Sequence, residues 1–152
     1  MLQPLKGLSA ASSTNQQSAH SKLNFTKIKG ITGLEQALAK ARTNNQSVMV
    51  DFYADWCVSC KEMEAYTFTD AGVQAALSNT VWLQADVTAN DAIDKVLLER
   101  FGVFGPPTII FFGTDGMQRH GYEVVGYMKA GAFTEHVQRA LAETDNMRAR
   151  QD

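Results

Sequence analysis

Hydrophobic and polar residues settle into two periods from Leu23 onward. "FTKI", Phe25 to Ile28, alternates and predicts a short strand. Thr32 and Glu35 have the spacing of a capping box ahead of Leu34, Ala37, Leu38 and Ala41, which line one face of a helix. "VMVDFYA", Val48 to Ala54, is apolar on both faces, as a central strand covered by helices is. A helix is expected from or just after Trp56 through Glu64, then a second helical piece, Val73 to Leu77, behind a cap at Thr69 or Asp70. "TVWLQADV" predicts the next strand. Asn90 is placed to cap a helix with Asp91 and Asp94 in its first turn, Ile93, Val96, Leu97 and Phe101 on its apolar side, and Gly102 just past its end. "PTIIFFG" reads as a strand, "TDG" as a turn and "YEVVGY" as a hairpin partner. Phe133, Val137 and Leu141 mark the buried stripe of a last helix.

The resulting order, β-α-β-α-β-α-β-β-α, defines an α/β fold. Its central mixed sheet carries helices on both faces, with the final hairpin as an antiparallel edge. Residues 1–22 are rich in Ser, Gln, Asn and Ala without apolar periodicity and are expected to be a flexible linker; the folded domain is expected over 23–144 and a frayed tail over 145–152. A chain of 152 residues, 45% of them hydrophobic, suffices for one core without disulfide staples. The net charge of −2 comes without any Lys/Arg run, which argues against a nucleic-acid footprint and a polybasic membrane patch. No apolar run reaches the roughly 18 to 20 residues that cross a bilayer, and the first residues lack the layout of a secretory signal.

Chemistry concentrates in "DFYADWCVSCKEME", which holds both cysteines of the chain. Cys57 falls at a strand-to-helix junction, where free backbone N–H groups and the helix dipole favour a thiolate, so it is the expected nucleophile. Cys60, one turn on, is within reach of a mixed disulfide at Cys57 and is the expected resolving thiol, the more buried of the two. A closed zinc site needs four ligands, and His20, His120 and His136 are scattered, so no metal is expected. A purely structural disulfide closing four residues stabilises little. Asp51 sits inside an apolar strand six residues before Cys57, and a carboxylate there requires a partner or a shifted pKa. It is read as a proton acceptor for Cys60, or else as a strand residue paired with a lysine or a water. Glu64, four residues after Cys60, shares its helix face and is a second candidate acid, or else a surface residue pairing with Lys61. Trp56 offers a flat apolar surface beside the nucleophile, or else packs in the core. Tyr66 and Phe68 are read as packing residues. Pro107, at a strand entrance, is a candidate for a cis peptide, or else for a plain rigid turn.

The strand "VDFYADWC", the C-x-x-C-K at a helix start and the "PT" before the fourth strand together resemble the thioredoxin superfamily over about Phe25 to Leu141. Within it, "YADWCVSCKEMEAYTF", "LQADVTANDA" and "PTIIFFGTDG" look like the C-terminal periplasmic domains of bacterial transmembrane thiol:disulfide interchange proteins. That resemblance implies a thioredoxin-like fold and a protein-disulfide reductase that needs no cofactor beyond the redox-active disulfide Cys57–Cys60. It implies electron transfer from a membrane-embedded domain to an N-terminal periplasmic domain of the same protein, which feeds disulfide isomerases and cytochrome c maturation. It also implies a periplasmic location tethered to the inner membrane and a monomeric isolated domain. Asp51 and Glu64 match the family's active-site acids and Pro107 its cis-proline. Val58 and Ser59 stand where thioredoxin has Gly-Pro, and Pro106, which has no N–H to give, stands where a partner peptide is bonded; with Trp56 and Pro107 these are the expected partner-binding residues. A free-standing oxidase or isomerase and a redox-silent docking module are the competing readings, separated by reduction potential and by mixed-disulfide formation.

Overall fold

In the computed structural model the described residues are 23–149, with no side-chain description over 143–149. The expected linker 1–22 lies outside them, as do residues 150–152 of the expected tail. Five strands run β1 (Thr26–Ile28), β2 (Ser47–Tyr53), β3 (Thr80–Asp86), β4 (Thr108–Phe112) and β5 (Val124–Val125). Helices are α1 (Gly30–Thr43), α2 (Val58–Glu62), a π-helical turn (Met63–Thr67), α3 (Ala71–Ala76), α4 (Ala92–Arg100) and α5 (Ala130–Ala149). The sheet order is β1-β3-β2-β4-β5, with β1, β3 and β2 mutually parallel and β4 and β5 antiparallel to their neighbours.

All seven residues of β2 are buried, because the strand is central and covered on both faces. Val48, Val50 and Phe52 face one core with Leu34 of α1, Leu97 of α4, Ile110 and Phe112. Met49 faces the other, with Met63, Phe68, Val73, Phe111, Phe133 and Val137. Each such large apolar side chain contributes about 1.5–3 kcal/mol on burial. Edge-to-face contacts of Phe68 with Phe25, Trp82 and Phe133, at 5.3, 5.8 and 5.9 Å, lock the second core. The period-2 face rule puts Asp51 on this second side, among the elements that follow the cysteines.

Several local expectations change. The box at Thr32 and Glu35 does not start α1: Gly30, at φ +68°, turns the chain into the helix two residues earlier, behind Lys29, which makes no side-chain cap bond. Asn90 does not cap α4. It takes φ +45°, and Asp91 caps instead, in a reciprocal box with Asp94 that Lys29 bridges at 2.9 and 2.7 Å. Because Asp94 is drawn inward by these bonds, the buried face of α4 runs through Asp94 and Leu97, and Ile93 and Val96 are exposed. Asp70 is the cap of α3. The helix expected to end at Glu64 continues as one π turn, closed by Phe68 N–H donating to Met63 O at 2.9 Å. That wider turn buries Phe68 but leaves Tyr66 exposed, contrary to its reading as a packing residue. In α5 the buried stripe is Phe133, Val137 and Ala140, with Leu141 partly buried.

Candidate functional site

Cys57 is the N-cap of α2, and its sulfur accepts the Cys60 backbone N–H at 3.2 Å. The sequence enforces this placement: β2 ends at Tyr53, and the Cys57 N–H donates to Ala54 O at 3.1 Å, closing a tight turn into the helix. The two cysteines form a disulfide with Cα atoms 5.3 Å apart. Cys57 is 6% exposed and Cys60 1%, the order expected of attacking and resolving sulfurs. Cys60 Sγ lies 3.9 Å from the carbonyl oxygen of Phe52, the residue after Asp51.

A polar cluster sits in the otherwise apolar second face of the sheet. Asp51 is 2% exposed, and burial, with a smaller push from the Glu64 charge, raises its pKa from 3.8 to about 7 against the opposing bond from Gln84. Gln84 is its register neighbour on β3, and Gln84 Nε2 donates to Asp51 Oδ2 at 3.4 Å and to Glu64 Oε1 at 3.2 Å. The π turn carries Glu64 to that amide. Lys61, the alternative partner for Glu64, instead donates to the Tyr53 hydroxyl and sits 5.0 Å from the ring centroid. The Tyr53 hydroxyl in turn donates to Asp55 Oδ1 at 3.1 Å. Burial raises the Tyr53 pKa, opposed by Lys61 and assisted by Asp55; the bond to Tyr53 raises that of Lys61.

Around the sulfurs the surface is apolar. Trp56 is 62% exposed, its indole N–H reaching Thr88 O at 3.5 Å, while Thr88 Oγ1 accepts the Asp55 N–H at 2.9 Å. Val58 is 70% exposed and Ser59 half-buried. The Pro106–Pro107 peptide is cis, and both rings are half-buried. Pro107 O accepts the Gly126 N–H at 3.1 Å, and Gly126 has φ +84°. Two residues on, the Met128 peptide is gripped by the π turn: its N–H donates to Met63 Sδ at 3.4 Å, and its carbonyl accepts from Thr67 Oγ1 at 2.6 Å. The proline loop and the cysteine helix are thus tied through one segment. Phe104, between Gly102 and Gly105 on the same loop, is fully exposed.

The structure joins Cys57 and Cys60 in a disulfide at the start of α2, links Cys60 to β2 at the Phe52 carbonyl, and joins Asp51 and Glu64 through Gln84, with Trp56, Val58, Ser59, Pro106 and Pro107 on the neighbouring segments. Sequence reasoning missed Gln84, Tyr53, Thr88 and Phe104. A glutamine in the apolar run "TVWLQAD" was the available signal for the first. Among the described residues no group of three or more His, Cys, Asp or Glu side chains is placed to hold a metal ion, and no helix is long and apolar enough to cross a membrane.

A disulfide at a helix N-terminus, a buried carboxylate on the strand that delivers it and a cis-proline at the entrance of the neighbouring strand define a dithiol-disulfide exchange domain. The Thioredoxin-like family model matches residues 30–114. The chain is 49% identical over 140 residues (92% of its length) to the thiol:disulfide interchange protein DsbD of Ralstonia nicotianae, and 49% identical over 136 residues (90%) to DsbD of Salmonella typhimurium. It spans 23% of the length of each of these curated relatives. The oxidised C-terminal domain of Neisseria meningitidis DsbD superposes with a TM-score of 0.66 at 34% identity, covering 76% of this chain and 99% of that one. The chain belongs to the thioredoxin-like family, on the branch formed by the C-terminal domains of DsbD.

Proposed function

We propose that this chain is the periplasmic relay domain of a larger, membrane-anchored thiol:disulfide interchange protein, reduced by a membrane-embedded domain and oxidised by an N-terminal periplasmic domain. The observation that carries it is the site itself: Cys57 caps the helix start as the more exposed sulfur, and Cys60, buried behind it, lies 3.9 Å from the carbonyl of Phe52, the residue after a carboxylate, Asp51, that burial keeps near half-protonated at neutral pH. Outgoing electrons leave in two steps. The Cys57 thiolate attacks the partner disulfide, joining Cys57 to one partner sulfur and expelling the other as a thiolate. The Cys60 thiol then gives its proton to Asp51 and attacks Cys57 Sγ; the bond to the partner breaks, the second partner sulfur leaves as a thiolate that takes up a proton, and Cys57–Cys60 is re-formed. The partner gains two electrons and the pair loses two.

Asp51 is the base of this step; burial keeps its affinity for the proton high, with a smaller push from the Glu64 charge. Trp56, Val58, Ser59 and the two prolines form the docking face. In Cys60→Ser the second step is blocked, so the partner should stay attached through Cys57. Incubating that variant with membrane and periplasmic extracts should yield disulfide-linked adducts with both flanking domains of the interchange protein. Adducts with free periplasmic proteins alone would overturn the relay reading in favour of a free-standing oxidase or isomerase.

Pro106 has no N–H to offer a partner strand. Pro106→Leu supplies one and should tighten partner binding roughly fivefold, the ~1 kcal/mol of one ordinary hydrogen bond. Titration of the trapped partner domain against both forms by calorimetry checks this; equal affinities count against it.

A further inference from the structure

The buried polar cluster holds two carboxylates and, between them, one amide. Asp51 and Gln84 are register neighbours on parallel strands, so their side chains leave the same face of the sheet, toward the π turn that carries Glu64. Gln84 is 5% exposed, and its single NH2 group reaches both acids, at 3.4 and 3.2 Å. An NH2 group only donates, which suits an ionised Asp51. Once Asp51 has taken a proton it has an O–H to give and needs an acceptor. The same amide has one, its carbonyl oxygen, brought round by rotation about the last side-chain torsion.

We propose that Gln84 is the positioning residue of the proton transfer: its amide bridges Asp51 and Glu64, holds the ionised Asp51 in place, and turns its carbonyl to the Asp51 O–H after the proton arrives. This rests on the reading of Asp51 as proton acceptor. No other group in the cluster can do both jobs. Glu64, from the π turn, is the charged side chain whose field reaches Asp51. Lys61 of α2 is engaged with Tyr53. The β4 register neighbour of Asp51 is Ile109, which is apolar. The Tyr53 hydroxyl is engaged by Lys61 and Asp55, and the cysteines, joined as a disulfide, do not titrate.

The test uses the oxidised chain first, because a disulfide does not titrate and the Asp51 carboxyl 13C shift then reports that group alone. Gln84→Met keeps the side-chain length and removes donor and acceptor. Its Asp51 inflection should move up by about one pH unit, tenfold in proton affinity, since a donor to the ionised form is lost. Gln84→Glu keeps the shape, adds a third carboxyl and should move it at least as far, so the proposal stays testable if the methionine variant fails to fold. In the unaltered chain the Gln84 NH2 proton resonances should follow the same titration.

The second readout uses glutathione disulfide. The reduced chain forms a glutathione adduct at Cys57 that Cys60 resolves, and mass spectrometry of quenched samples gives its lifetime. Gln84→Met should lengthen that lifetime several-fold at pH 7, and in an Asp51→Asn background should add nothing. An unmoved Asp51 inflection in both Gln84 variants, with Asp51→Asn still lengthening the adduct lifetime, overturns the role of Gln84 alone. An adduct lifetime indifferent to Asp51→Asn overturns the proton-acceptor reading, and this inference with it.

Discussion

Replacing Cys57 by serine should abolish catalysed disulfide exchange, a loss on the order of a thousandfold or more, while leaving the fold intact. The asymmetry between the two sulfurs makes this more than the loss of a bond. Cys57 caps α2 and accepts the Cys60 N–H, so it holds the helix N-terminus where a developing thiolate is stabilised, and it is the more exposed of the pair. A serine hydroxyl can take over the cap but ionises far too weakly to attack a disulfide. Cys60→Ser behaves differently: it still forms the first mixed disulfide and stops there. A single-turnover assay against glutathione disulfide should therefore show no adduct with Cys57→Ser and one stoichiometric adduct with Cys60→Ser. An adduct of equal yield in both would mean that either sulfur can lead, against the burial order. Structural loss is not expected to blur the result. Closing a loop of four residues stabilises by only about 2 kcal/mol in the chain-entropy picture; the cysteines belong to the first core alone, where serine is close in size to the lost side chain, and the second core does not include them.

What the sequence could tell about this site divides along a physical line. Cys57, Cys60 and Asp51 lie in one continuous strand-turn-helix segment, and the burial of β2 follows from its own apolar run, so local pattern was enough to place them. The proline pair at the mouth of β4 was legible for the same reason. Gln84 was not, because it becomes a partner of Asp51 only through the register between β2 and β3, and nothing in "TVWLQAD" states that register. The π turn is equally silent in sequence. It arises where Phe68 has to reach the second core, and it carries Glu64 to the Gln84 amide instead of to Lys61. The exposure of Ile93 and Val96 shows the limit of periodicity: the apolar spacing was right for a helix face, but a polar box and the Lys29 bridge chose which residues turned inward. Phe104 gives no sequence signal either, since only the path of the loop between Gly102 and Gly105 puts its ring in solvent.

Asp51→Asn should make the oxidised chain more stable at pH 8 and no more stable at pH 3.5. In the unfolded chain this carboxyl titrates near 3.8, while in the fold burial holds it to about 7. Below pH 3.8 both states carry the proton and the group contributes nothing. Between about pH 4 and 7 the unfolded chain has given up a proton that the folded chain retains, so stability falls as pH rises. Three units at 1.36 kcal/mol each come to about 4 kcal/mol, reached by pH 8 and constant above it. Asparagine has the same shape, carries no charge, and can still bond the Gln84 amide, so it removes the penalty without opening a cavity. Urea unfolding at the two pH values measures the difference directly. A gain of equal size at both would place the effect in packing, and no gain at pH 8 would mean that Asp51 is solvated in the fold. On the proposed mechanism the same substitution should slow resolution of the Cys57 adduct, because it removes the proposed acceptor for the Cys60 proton. Stability and exchange would then move in opposite directions from one atom replacement, which is the signature of the proposed role: a carboxylate whose burial weakens the fold while raising its affinity for a proton.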